Sequence, residues 1–136
     1  MSKYQGGCAC GAVKFSTDAD PMLVGHCQCG RCQKMSGTGH QSFAAFPGDK
    51  VSVTGKTASW SYTADSGGTA MRQHCPTCGS PMFGGTTSMP GMLAVNLAAF
   101  DDSSSLKPAM LFYTAKQQAW DHMDPALMRF PGMPPM

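Results

Sequence analysis

The sequence predicts a mainly β protein with little helix, folded as a single domain over residues 1–136. Three observations carry that expectation. Sixteen glycines and ten prolines punctuate the chain, which favours short strands and turns over long helices. Apolar and polar residues alternate in short runs, as in Ala12-Val13-Lys14-Phe15-Ser16. Seven cysteines fall into three clusters, Cys8/Cys10, Cys27/Cys29/Cys32 and Cys75/Cys78, at spacings suited to a metal that holds such strands together.

Residues 1–16 read as a strand entering and leaving the first cluster. Cys8 and Cys10 are two apart, so an extended backbone would put both thiols on one side as a pincer. Leu23 to Cys29 reads as a strand running into the middle cluster, where Gly30 turns the chain. Gln33 to Ser36 is expected to form a short helical turn ended by Gly37. Gln41 to Phe46, Val51 to Thr54 and Ala58 to Tyr62 read as strands, with turns at Pro47-Gly48-Asp49 and Ala64 to Gly68. Met71 to His74 should deliver Cys75 into a tight knuckle, with Gly79 free to take a positive φ and backbone N–H groups turned toward the sulfurs. Gly79 to Gly85 is a poor helix start. Met92 to Leu97 and Ala109 to Thr114 complete the strands, and Asp101-Asp102-Ser103 reads as a turn or cap. From Trp120 onward, with Pro125, Pro131, Pro134 and Pro135, an irregular tail is expected to pack back through Trp120, Leu127 and Phe130. The twelve methionines, from Met82 to Met136 among others, have no repeat and read as core filling and loose tail.

Clustered thiols point to metal. An odd count and the lack of a signal-like apolar stretch in residues 1–7 argue against a disulfide scaffold. A redox pair at Cys75/Cys78 would want a helix after it. Seven ligands divide into four, which close a tetrahedral site, and three, which leave a position open. Pairing Cys8/Cys10 with Cys75/Cys78 leaves Cys27, Cys29 and Cys32 as the open set, and ligand arithmetic favours it. Pairing Cys27/Cys29 with Cys75/Cys78 is the alternative. His26, His40, His74 and His122 are further ligand candidates, but His26 and His74 adjoin cysteines and so face the opposite side of a strand.

Composition narrows the function. All eight acidic residues are aspartates. The glutamate used by zinc nucleobase deaminases and zincin proteases is therefore missing. Seven thiolates take the formal charge from +2 to −5, and two Zn2+ ions return it to −1. Nucleic-acid binding is not expected from such a chain. No apolar run is long enough to span a bilayer, so a cytoplasmic protein is expected.

The ordered motifs resemble the glutathione-dependent formaldehyde-activating enzyme family, which includes centromere protein V. The resemblance runs from Gly7-Cys8-Ala9-Cys10-Gly11 with Val13 and Phe15, through Cys27-x-Cys29-x-x-Cys32 with Lys34, Ser36 and Gly37, to Cys75-Pro76-Thr77-Cys78-Gly79-Ser80. It ends with Leu97 to Leu106, Pro108 and Trp120. It implies a small zinc-stapled β-tent of mostly antiparallel sheet. It also implies structural zinc at Cys8, Cys10, Cys75 and Cys78 and catalytic zinc at Cys27, Cys29 and Cys32, two per chain. The implied reaction joins formaldehyde to glutathione, giving S-hydroxymethylglutathione, and is of carbon–sulfur lyase type. Gln28, Gln33 and His74 stand where the family often has His, Arg and Phe.

The expected partners are a small thiol and an aldehyde, the thiol taking the open position because three thiolates make a soft centre. Zinc would lower the thiol pKa or polarise the aldehyde. Arg31 and Lys34 are candidates to hold substrate carboxylates. Arg72 is a third such candidate, for which an ordinary solvated surface charge is the favoured reading. The rival readings are a binding module with two structural zincs and a sensor whose triplet loses metal on oxidation.

Overall fold

A computed structural model describes residues 2–133. Met1 and the expected tail positions Pro134, Pro135 and Met136 lie outside the described residues. Three strands, β1 (Tyr4–Gly7), β2 (Lys14–Thr17) and β5 (Val51–Thr54), form a small antiparallel sheet in the order β1-β2-β5. The larger sheet uses β3 (Leu23–Cys27), β4 (Gln41–Pro47), β6 (Ala58–Thr63), β7 (Thr69–His74) and β8 (Pro81–Thr86). It also uses β9 (Met92–Asn96), β10 (Met110–Phe112) and β11 (Met128–Arg129), and its order is β11-β10-β3-β4-β9-β8-β7-β6. One helix, α1 (Gly30–Ser36), leaves the end of β3. The mainly β expectation with little helix is therefore met.

Pairing is antiparallel except at β3/β10 and β10/β11. A parallel neighbour needs a crossover, and residues 97–109 supply it between β9 and β10. The alternation read around Phe15 is real: Phe15 and Thr17 are buried while Lys14 is exposed. Phe15 meets Phe100 edge-on at 4.9 Å, and Phe46, Met82, Phe83, Val95 and Leu106 complete the same core.

Several boundaries differ for local reasons. β2 begins at Lys14 rather than Ala12, because Ala12 and Val13 belong to the turn around the first cysteines. β3 stops at Cys27, since Cys29 caps the helix. β10 stops at Phe112, where Tyr113 adopts a left-handed conformation, φ 62°. β8 falls in the stretch after Cys78, read only as a poor helix start and not among the expected strands. Pro81 holds the first position, where a missing N–H is tolerated, and Gly84 lies across the ladder from Arg72.

The tail also differs. Trp120 does not pack back; it is 61% exposed. Phe130 does, stacking on Phe112 at 5.6 Å, and β11 pairs with β10. Methionine use is mixed: Met82 is wholly buried, while Met22, Met128 and Met133 are exposed. No helix among the described residues is long and apolar enough to cross a membrane.

The small sheet meets the crossover after β9 at Gly6, which bridges to Phe100 while the Asp101 N–H donates to the Gln5 carbonyl at 2.9 Å. A Cβ at Gly6 would overlap the carbonyl of Ala99, and neither partner is a side chain that can swing away. Gly6→Ala is therefore expected to lower stability by about 3 kcal/mol. Urea unfolding of the metal-loaded protein measures this, and a loss under about 0.5 kcal/mol would show that the small sheet is not held to the crossover there.

Candidate metal centres

The first centre is built from two turns of similar construction. Cys8 and Cys10 lie at the tip between β1 and β2. The Cys8 N–H donates to the Val13 carbonyl at 3.0 Å, the Gly11 N–H to the Cys8 carbonyl at 3.1 Å, and Gly11 has φ 82°. The second turn joins β7 to β8. There the Cys75 N–H donates to the Ser80 carbonyl at 3.0 Å, the Gly79 N–H to the Cys75 carbonyl at 2.9 Å, and Gly79 has φ 78°. The four sulfurs lie within 4.8 Å of one another. The extended pincer read for Cys8 and Cys10 is thus replaced by a turn, which brings their sulfurs to 3.6 Å.

Backbone N–H groups aim at the sulfurs, as the knuckle reading expects. Val13 N–H donates to Cys8 Sγ at 3.3 Å, and Thr77 and Cys78 N–H groups to Cys75 Sγ at 3.4 and 3.5 Å. Ser80 ties the turns together: its Oγ accepts from Ala9 N–H at 3.0 Å and lies 3.2 Å from Cys78 Sγ. The Ser80 hydroxyl and backbone pull the Cys78 thiol down to about 5.

The second centre sits where β3 gives way to α1. Cys27 ends the strand, Cys29 is the N-cap and Cys32 is buried in the first turns of the helix. Cys29 Sγ accepts from the Cys32 N–H at 3.3 Å, the role an Asp or Ser fills in an ordinary cap. Gly37 closes the helix with φ 75°, as expected, although the helix starts earlier than Gln33. The three sulfurs also lie within 4.8 Å of one another. Neighbouring Cys27 and Cys32 thiols donate to Cys29 and drop its pKa to about 2, while the same contacts drive Cys27 upward. One negative charge forms readily in this group, and further ones need a cation to offset them.

All seven cysteines are free thiols, and sulfur separations of 3.6 and 3.8 Å are far beyond the roughly 2.05 Å of a disulfide bond. Close-packed sulfurs with N–H donors fit a soft divalent ion. Both clusters can hold a metal, one through four thiols and one through three. The geometry brings together the favoured pairing of the two outer doublets. No histidine joins either cluster among the described residues. His26 Nδ1 lies 2.7 Å from Ser42 Oγ, and burial followed by the nearby His40 lowers its pKa to about 4.

Four residues around the second centre were missed or misread. Arg72 is not a surface charge. It is half-buried, and it donates from Nη2 to Cys32 Sγ at 3.2 Å, from Nη1 to Gln41 Oε1 at 2.6 Å and from Nε to Tyr62 OH at 3.1 Å. Strand alternation from buried Ala70 was the available signal, since it turns Arg72 to the same side. Gln28, wholly buried between the ligands, donates from Nε2 to Asp121 Oδ2 at 3.0 Å, and His40 Nδ1 lies 2.9 Å from Asp121 Oδ1. Nothing local marks Asp121, which is 6% exposed although it follows the exposed Trp120.

Arg31 and Lys34 both project from the exposed side of α1. Arg31 lies over the Tyr62 ring at 4.3 Å, and Tyr62 stands beside the exposed Trp60 at 4.7 Å. Beside the first centre a cleft of about 440 Å3 is lined by Cys8, Ser36, His40, Gln41, Ser80 and Asn96 among others.

Removing the Asp121 carboxylate would leave the buried Gln28 amide and the half-buried His40 ring without their acceptor. Asp121→Ala is expected to cost about 1–3 kcal/mol in denaturant unfolding and to loosen metal from the second centre before the first. Unchanged stability would show that the tail does not anchor the metal loop.

No curated protein matches this chain by sequence at a significant level. A crystal structure of a Rhodobacter sphaeroides protein superposes with a TM-score of 0.61. That match has 20% sequence identity and covers 79% of this chain and 98% of that one, a likeness of fold. Residues 3–116, which include all seven cysteines and Arg72, match the description "Glutathione-dependent formaldehyde-activating enzyme". The chain belongs to the glutathione-dependent formaldehyde-activating enzyme family.

Proposed function

We propose that the protein is a zinc-dependent enzyme of carbon–sulfur lyase type, acting in the cytoplasm, that adds a small glutathione-like thiol to an aldehyde such as formaldehyde. The observation that carries this reading is the contrast between the two sulfur sets. Four cysteines complete one set, whereas three form the other and no fourth ligand side chain joins them among the described residues. In this reading Cys8, Cys10, Cys75 and Cys78 hold a structural zinc, and Cys27, Cys29 and Cys32 hold the zinc that serves the reaction. Bound there, zinc supplies a soft Lewis acid suited to a thiol sulfur.

In the overall reaction the S–C bond forms, the carbonyl π pair moves to oxygen, and the thiol proton ends on that oxygen. The protein's own contribution is placement and charge. Arg31 and Lys34, exposed on the helix that carries Cys32, would receive substrate carboxylates. Arg31 is already steadied over Tyr62. Tyr113, near Cys27 and Cys29, is raised to about 12 by burial and by its bond to Asp65, so its hydroxyl stays protonated at neutral pH.

A binding module is the second reading, favoured by the exposed Trp60 and Trp120. Aldehyde consumption with a panel of thiols decides between them. Wild type should accelerate hemithioacetal formation with at least one thiol, and Cys29→Ser should abolish the acceleration while keeping the fold. No acceleration with any thiol would favour the binding module.

Metal analysis gives an independent check. Freshly reduced protein should hold two zinc ions per chain, and a chelator should remove the one at Cys27, Cys29 and Cys32 first. Cys78→Ser should unfold or aggregate the protein and Cys32→Ser should be milder. One zinc per chain, or the reverse order of damage, would overturn the assignment.

A further inference from the structure

We infer that Arg72 is a positioning residue that sets the charge of the three-cysteine centre, and so lets that centre accept a thiol in its anionic form. The inference rests on the reading of that centre as the reactive one. It begins from an unusual pairing. Arg72 is a half-buried cation, and its three hydrogen-bond partners are the Cys32 sulfur, the Gln41 amide oxygen and the Tyr62 hydroxyl. No carboxylate pairs with it among the described residues. A guanidinium withdrawn from water needs a compensating negative charge. Of its three partners the Cys32 thiol gives up its proton more readily than the Tyr62 phenol, and the Gln41 amide cannot carry a charge.

The arginine is held in place from three directions. Gln41 Nε2 donates to Asn96 Oδ1 at 2.8 Å, and Asn96 Nδ2 donates to the Pro81 carbonyl at 2.8 Å, so the Gln41 oxygen is fixed toward the guanidinium. Tyr62 OH accepts from Nε on the other side. Gly84, opposite Arg72 in the ladder, leaves room for the side chain; a Cβ there would lie 3.3 Å from Arg72 Cδ. This construction presents one Nη2 donor to Cys32 Sγ and leaves the Cys29 sulfur to the helix N–H.

Three thiolates around a divalent ion leave a net charge of −1. A fourth, anionic sulfur would make it −2, the thiol proton passing to the buffer. In the other centre four thiolates would be held by the ion and by uncharged backbone N–H groups. At the three-cysteine centre the cation at Cys32 reduces the repulsion that an incoming anion meets.

The test uses cobalt-loaded full-length protein, titrated with 2-mercaptoethanol and glutathione and read by sulfur-to-cobalt absorption across pH. Arg72→Gln keeps a donor and removes the charge; Arg72→Lys keeps the charge. Arg72→Gln should retain two metal ions, bind each thiol about ten- to a hundredfold more weakly, and need a higher pH for half-saturation. Arg72→Lys should recover much of the affinity. Equal thiol affinity and equal pH midpoint in wild type and Arg72→Gln would overturn the inference while leaving the enzymatic reading intact. Loss of the second metal in both variants would also overturn it, since Arg72 would then be structural. No thiol response in wild type itself would remove the enzymatic reading, and the inference with it.

Discussion

Everything in this fold is arranged around the closure of two distant turns on each other. Cys8 and Cys10 stand 65 or more residues before Cys75 and Cys78, yet the Cys10 and Cys75 sulfurs lie 3.8 Å apart. Ser80 holds the contact with its hydroxyl, between Ala9 and Cys78. The small sheet hangs from one turn and the long sheet from the other, and Gly6 lets the small sheet lie against the crossover backbone at Ala99 and Phe100. A chain of this size buries a modest core, and the aromatic set around Phe15, Phe46 and Phe100 fills the space that the closure encloses. A sulfur cluster at that junction does more for stability than its few atoms suggest, because a bound ion removes the freedom of a long intervening loop.

The two centres are physically connected. From Cys32 a run of hydrogen bonds passes through Arg72, Gln41 and Asn96 to the Pro81 carbonyl, next to Ser80 of the first centre. The run joins a thiol, a guanidinium, two amides and a backbone carbonyl, and so links the helix to β7, β4, β9 and β8. It also explains the glycine at position 84. A cross-strand neighbour with a side chain would crowd the arginine, and the arginine is what faces the second centre.

Departures from the common family pattern become intelligible at the second centre. Gln28 and Gln33 replace residues that could carry charge, and both serve as anchors. Gln28 reaches the buried Asp121, and Gln33 donates to the Gln28 and Lys116 carbonyls while accepting from Gln118. They fasten the metal-ligand loop to the chain after β10, beyond or at the edge of the matched residues 3–116. The loop is held by neutral amides, which leaves Arg72 as the cation in hydrogen-bonding contact with its sulfurs.

The cysteine spacings and the glycine and proline frequency were enough to read mainly β structure, two thiol groups of four and three, and most strand positions. Those features are local: a doublet, a turn residue or a period of two acts within a few residues of itself. The helix start, β8 and the turn at Cys8 were not legible, because a cysteine cap, a proline-led strand and a sulfur-centred knuckle all act against ordinary propensity. Arg72 and Asp121 show the deeper limit. Each is an unremarkable charge in the sequence, and each is decided by which strand or tail segment crosses the metal loop. Register placed Arg72 against Cys32 and opposite Gly84, and the tail's path placed Asp121 between Gln28 and His40. Such partners are set by long-range pairing and burial, so they become determined only when the whole chain has closed.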